Sequence, residues 1–230
     1  MTDARTRVAV VDDHELLAQS AAYALRAHAI DAQVVEVSSI AAVEAEVLRM
    51  HPSVVLLDLH LGALGHSTPM IPAFRAAGID VVVMTGETDR AAWGACIEAG
   101  AAALVEKRLS FDELVEQLRR IIEGEGDAAI AQCDRLELLA ALNERRRADR
   151  ARLEPFTRLT AREADVLGRM VHGLSAEEIA TESYVSIATV RSHIRSILQK
   201  LGVNSQLAAV AAATKAGWTR LAQTANHAPK

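Results

Sequence analysis

The sequence predicts an α/β protein: a (βα)5 doubly wound domain, then a linker helix, then an all-α four-helix domain built around a helix-turn-helix. Three observations predict it. Short apolar runs alternate five times with stretches of helical composition over the first 122 residues. A long segment free of Gly and Pro follows, from Asp134 to Glu154. Ser and Thr caps then mark off four short helices between Thr157 and Gly217.

The five apolar runs are Val8 to Val11, Val34 to Val37, Val54 to Leu57, Val81 to Met84 and Ala103 to Val105. Between and after them, Glu15 to His28, Ala41 to Met50, Pro72 to Ala77, Asp89 to Ala99 and Phe111 to Ile122 read as helices. Each crossover is long enough to carry a helix and return right-handed to a parallel sheet. The unbroken run Val54 to Leu57, with turn-formers on both sides, fits a strand buried on both faces at the sheet centre. Gly78 and Gly100 stand where helices stop, and Ser110 with Glu113 forms a capping box.

Composition bounds the rest. The 230 residues are half apolar but only 3% aromatic, so the cores are built mainly from Ala, Val, Leu and Ile. Residues 1–124 carry 18 acids and 10 Lys or Arg, a net of −8, whereas residues 157–220 carry 5 acids and 8 Lys or Arg, a net of +3. Only the last quarter is therefore expected to meet a polyanion. Cys96 and Cys133 lie outside any ligand-like spacing and point to a reducing compartment. With no apolar leader and no run of membrane-spanning length, a cytoplasmic protein without a membrane partner is expected.

At the C-terminal ends of the strands stand Asp12, Asp13, Asp58, Thr85 and Lys107, the edge where open α/β sheets bind ligands. Three carboxylates gathered there repel one another unless a cation is present, and a hard ion such as Mg2+ answers that need. Thr85 offers a hydroxyl to a phosphoryl oxygen and Lys107 a mobile positive charge. Such an assembly suits attack of Asp58 on phosphorus, giving an acyl phosphate.

On those residues the first 124 positions resemble the receiver domain of a two-component response regulator. The resemblance implies that Asp12, Asp13 and Asp58 hold Mg2+ together with the backbone carbonyl of His60. It also implies that a histidine kinase phosphorylates Asp58, with Thr85 as switch hydroxyl and Lys107 as phosphate-binding lysine. Leu104 departs from the aromatic residue expected in the fifth strand, and Gly62 stands where proline is common, in what reads as a longer, looser loop from Leu61 to Pro72. Gly94 lies inside the fourth helix beside Trp93. By the resemblance, Trp93, Glu98 and Arg119 are candidates for a dimer surface, the alternative for Trp93 being a ring packed back on the sheet.

The connector begins with a turn at Glu123 to Asp127, which holds Gly124 and Gly126. Its helix is expected to end before Pro155 and to carry an apolar stripe of Leu136, Leu139 and Leu142, with a later Leu153, beside an arginine-rich face. That stripe fits packing on the first domain, on the second, or on another subunit.

In the last quarter, Thr160 with Glu163 and Ser175 with Glu178 are capping boxes, joined through a tight His172-Gly173-Leu174 link. Ser186 caps the longest helix, Ile187 to Leu201, and Ser205 caps the last. Leu167, Ile179, Val190, Ile194, Ile197, Leu198 and Leu201 form the expected core. The motifs Leu159-Thr160-x-Arg162-Glu163, Gly173-Leu174-Ser175, Thr189-Val190-Arg191-Ser192-His193 and Lys200-Leu201-Gly202-Val203 are similar to the LuxR-type DNA-binding domain of the NarL/FixJ class. The resemblance implies a recognition helix in the major groove, with Arg191, Ser192 and Arg195 facing it and Lys200 at backbone phosphate; Thr189 and His193 on the same helix are further candidate DNA contacts, with His193 placed either against phosphate or inside the domain.

The expected division is a receiver at 1–126, a largely helical linker at 127–156, a LuxR-type domain at 157–220 and a flexible tail at 221–230. The expected function is a phosphorylation-dependent transcriptional regulator that binds promoter DNA, most simply as a homodimer, and is served by a sensor histidine kinase. Such a chain is no stand-alone enzyme, although its receiver catalyses its own phosphotransfer and slow dephosphorylation. The alternative is a DNA-binding regulator whose receiver is gated by protein or ligand contact instead.

Overall fold

The computed structural model describes residues 7–86, 88–122 and 132–218. The expected turn at residues 123–127 and the tail at 221–230 lie outside the described residues. Two compact units divide the chain, Met1–Glu144 and Arg145–Lys230.

The first unit is a five-stranded parallel sheet in the order β2-β1-β3-β4-β5, with β1 at Arg7–Val11, β2 at Asp31–Val34, β3 at Val54–Asp58, β4 at Asp80–Thr85 and β5 at Ala103–Glu106. Every residue of β3 is buried, as a central strand covered on both faces requires. Its alternate side chains serve two cores. Val54 and Leu56 join Leu25 of α1 (Glu15–Ala27) and Leu118 of α5 (Phe111–Arg120). Val55 and Leu57 join Val47 of α2 (Ile40–Met50), Phe74 of α3 (Ile71–Ala76) and Cys96 of α4 (Arg90–Ala99). Each such large apolar side chain contributes about 1.5–3 kcal/mol by leaving water.

Three expectations are corrected. The second strand lies at Asp31–Val34 rather than Val34 to Val37, because its register against β1 pairs Arg7 with Asp31 and Val10 with Val34. The apolar content of residues 34–37 drew the reading too far along: Val35 follows the strand, with its N–H donating to the Val10 carbonyl at 2.9 Å. The loop after β3 is not loose. An antiparallel bridge joins His60 to His66, Ser67 N–H donates to Leu59 O at 2.9 Å, and tight helical turns form at Gly62–Leu64 and Thr68–Met70.

The third correction concerns the connector. Helix α6 runs Gln132–Thr157, straight through Pro155. The proline removes one donor close to the helix end, and the last turn is held by the buried Phe156, whose ring stacks on Trp218 at 5.6 Å. Within the first unit, the face of α6 that is buried carries Leu138 and Leu142, with Leu139 partly covered, while Leu136 is 65% exposed. Of the packing choices left open for its stripe, this half of the helix takes the first domain.

In the second unit, α7 (Ala161–Val171), α8 (Ala176–Glu182), α9 (Ile187–Leu201) and α10 (Gln206–Ala216) surround Leu167, Ile179, Val190, Ile194 and Ile197. Leu198 and Leu201 are only partly buried. Both expected capping boxes form, and Gly202 closes α9 in the left-handed region at φ +66°.

Candidate functional site

Parallel pairing of β1 with β3 and of β3 with β4 brings Asp12, Asp58 and Thr85 to one sheet edge, all three buried. The N–H of Lys107 donates to the Thr85 carbonyl at 2.8 Å, which fixes the start of the loop after β5 against the same edge. From there its Nζ reaches Asp58 Oδ2 at 2.7 Å and Asp12 Oδ2 at 2.8 Å. Asp58 also accepts from the backbone N–H of His60 at 3.3 Å. Asp13 is more exposed and borders the pair.

His14 was missed by sequence reasoning. Its backbone N–H donates to Asp12 Oδ1 at 2.8 Å, and its Nδ1 lies 3.2 Å from Asp12 and 3.1 Å from Asp13. The signal was the adjacency of a metal-competent residue to the Asp pair. Ligand atoms of Asp12, Asp13, His14 and Asp58 all fall within 4.8 Å of one another.

The electrostatics are those of a site that wants a cation. Burial pushes the Asp58 carboxyl above the ordinary carboxylate range and nearby Asp12 adds to this, only partly offset by Lys107 and the His60 amide. Burial alone would lower Lys107, but its bonds to Asp12 and Asp58 together outweigh that and leave it above the usual lysine value. One ammonium thus serves two buried carboxylates. Oxygen donors converging in this way fit a hard divalent ion such as Mg2+.

In the second unit the expected DNA-contact residues lie along α9. Thr189, Arg191, Ser192 and Arg195 are exposed and His193 is half-buried. Thr189 Oγ1 sits 2.8 Å from the Ser186 hydroxyl in the N-terminal cap. Arg191 meets Glu177 at 3.1 Å in an exposed pair of the kind that is worth little. Lys200, expected at backbone phosphate, is half-buried. Its ammonium is committed to the buried Glu163 at 2.6 Å, and Ser196 donates to the other Glu163 oxygen at 2.5 Å.

The chain is similar to known proteins in both units. The family model for the response regulator receiver domain matches residues 8–119, and that for bacterial regulatory proteins of the luxR family matches residues 157–213. A nitrate/nitrite response regulator protein homolog of Haemophilus influenzae is 31% identical over 207 residues, covering 89% of this chain and 94% of that one. The nitrate/nitrite response regulator protein NarP of Escherichia coli is 31% identical over 206 residues, covering 88% and 92%. A solved complex of the response regulator RcsB with DNA covers 91% of this chain and 98% of its own at 20% identity, with a TM-score of 0.48.

Proposed function

Because the chain belongs to the NarL/FixJ family of two-component response regulators, with a receiver followed by a LuxR-type domain, we propose that it is a DNA-binding transcriptional regulator switched by phosphorylation of Asp58. One observation carries the reading: Lys107 reaches both Asp58 and Asp12, at 2.7 and 2.8 Å, at the edge where β1 and β3 end. That convergence also disfavours a receiver gated only by protein or ligand contact, which would need none of these groups together.

In the proposed reaction an Asp58 oxygen attacks the phosphorus of a kinase phosphohistidine. The new O–P bond forms as the P–N bond breaks, and the imidazole leaves with the electron pair. Lys107 turns from the carboxylates toward the phosphoryl oxygens, and Thr85 donates its hydroxyl to another. Asp12, Asp13 and Asp58 would hold Mg2+ with the His60 carbonyl, and the ion when bound supplies positive charge that offsets those oxygens. Water entering the same pocket hydrolyses the acyl phosphate slowly, so the receiver limits its own signal.

At the other end, α9 would enter the major groove of promoter DNA with Arg191, Ser192 and Arg195, while Thr189 and His193 lie along the same helix. Two copies acting as a homodimer would address half-sites about 34–36 Å apart, in the cytoplasm where promoter and kinase are both reached. The test is intact-mass measurement after incubation with acetyl phosphate and Mg2+. Wild type is expected to gain one phosphoryl group and Asp58→Ala none; no gain by wild type, or an equal gain by the two chains, would overturn the reading.

A further inference from the structure

Helix α4 contains a glycine where a helix interior would prefer almost anything else, and the first unit shows why. A Cβ on Gly94 would lie 2.3 Å from the carbonyl oxygen of Leu138 and 3.0 Å from Cβ of Leu142. The backbones of α4 and α6 therefore meet at this point, and only glycine admits the contact. Leu138 is buried there with Ile97, and Trp93, Leu104 and Leu139 pack around them. Arg90 and Glu137 close the edge of the contact at 2.7 Å.

Trp93 has a second neighbourhood. A cavity of about 240 Å³ is walled by Thr85, Trp93, Leu104, Val105, Leu109 and Gln117 among others. The hydroxyl-bearing end of β4 and the indole thus border one space. Trp93 Nε1 is buried with no hydrogen-bond partner among the described residues, and so is Gln117 Oε1. Apolar packing alone holds the ring, with no directed bond to fix its position, beside room into which it can shift.

We infer that Trp93 is a positioning residue that couples the Thr85 end of the phosphorylation pocket to α6, the Gly94 notch holding that helix close enough to follow the ring. The inference rests on the proposed phosphorylation of Asp58. Drawing Thr85 toward a phosphoryl group changes the cavity wall; the indole moves with it, and Leu138 and Leu139 on α6 move with the indole. Leu104 lines the same wall and packs in the same apolar cluster.

The full chain tests this. Intact mass first establishes phosphoryl gain by wild type, Trp93→Ala, Trp93→Phe and Leu138→Ala in acetyl phosphate and Mg2+. The indole N–H resonance of Trp93, identified by its loss in Trp93→Phe, is then followed while beryllofluoride is added. The expected result is a displaced resonance in wild type. Trp93→Ala and Leu138→Ala should accept phosphoryl normally, yet the ratio of DNA affinities with and without phosphorylation should fall to within about twofold of one. Trp93→Phe, keeping a ring, should retain most of the wild-type ratio. An indole resonance unmoved by beryllofluoride, or a wild-type ratio in Trp93→Ala, overturns the coupling while leaving the phosphorylation reading intact. Absence of phosphoryl gain in wild type overturns both.

Discussion

Lys200, near the C-terminal end of α9, donates to Glu163, in the first turn of α7, at 2.6 Å and across 37 residues of sequence. Glu163 is only 4% exposed and also accepts from Thr160 N at 2.7 Å, from the Thr160 hydroxyl at 2.9 Å and from Ser196 at 2.5 Å. One carboxylate therefore caps its own helix and fastens the proposed recognition helix to it.

Replacing Glu163 with Ala strips four donors of their acceptor at once and leaves the Lys200 ammonium half-buried without a counter-charge. The C-terminal unit should lose about 3 kcal/mol. The measurement is urea unfolding, where the midpoint should fall while the slope stays unchanged. A wild-type midpoint would mean that water replaces the carboxylate without loss.

The same residue predicts a pH dependence. Burial raises its carboxyl, but the bonds from Lys200, Ser196 and Thr160 outweigh burial and bring the pKa from 4.5 down to about 2. The folded value is below the unfolded one, so the stabilisation is complete above the unfolded pKa and disappears as pH falls through the folded value. Between about pH 5 and pH 2 the C-terminal unit should lose on the order of 3 kcal/mol from this group. Lys200→Met should shrink that acid-dependent part, and an unchanged acid profile in the variant would contradict the assignment.

Gly62 carries a prediction about the metal. Its φ is +53°, and a Cβ there would lie 2.6 Å from Asp13 Oδ2. Gly62→Ala therefore pushes the Asp13 carboxylate aside and adds left-handed strain of about 1 kcal/mol. Wild type should gain about 1.4 kcal/mol from Mg2+ at ten times its Kd, read as a rise in melting temperature of the first unit. In Gly62→Ala the titration should shift several-fold to higher Mg2+, and further still in Asp13→Ala. Superimposable titrations for the three chains would remove Asp13 from the proposed ligand set.

What was legible in the sequence was what short spacing encodes. The capping boxes at Ser110, Thr160 and Ser175 are three-residue patterns and all three form. The central strand announced itself because both its faces are apolar. The pocket was legible because strand ends in a parallel sheet converge by topology, so Asp12, Asp58 and Lys107 could be brought together without knowing a single distance. Illegible were the particular contacts that sheet topology does not fix. Gly94 stood out only as a glycine inside a helix, and it is the place where α6 touches α4. Lys200 read as a DNA contact, and spacing did not show its bond to Glu163, 37 residues away. Pro155 read as a stop because the stacking of Phe156 on Trp218, which secures the turn around it, is tertiary.

The position of Lys200 sharpens the last prediction, which concerns DNA. Arg191 and Arg195 are exposed on α9, whereas the Lys200 ammonium is already bound to Glu163. A side chain that neutralises a phosphate contributes about 0.9 to the dependence of log affinity on log salt, and one that reads a base contributes about 1–3 kcal/mol of discrimination. Arg191→Ala and Arg195→Ala should each weaken binding by one of these routes, and salt titration distinguishes them: a lower slope marks a phosphate contact, a preserved slope with relaxed sequence preference a base contact. Lys200→Met should keep the wild-type slope at temperatures where the domain remains folded, because its charge is paired with Glu163. Glu177, 3.1 Å from Arg191 and exposed, competes with DNA for that guanidinium, so Glu177→Ala should raise affinity modestly, most visibly at low salt. A double Arg191→Ala, Arg195→Ala variant that stays folded and binds with the wild-type affinity and slope would take this face of α9 out of the groove, whatever the receiver does.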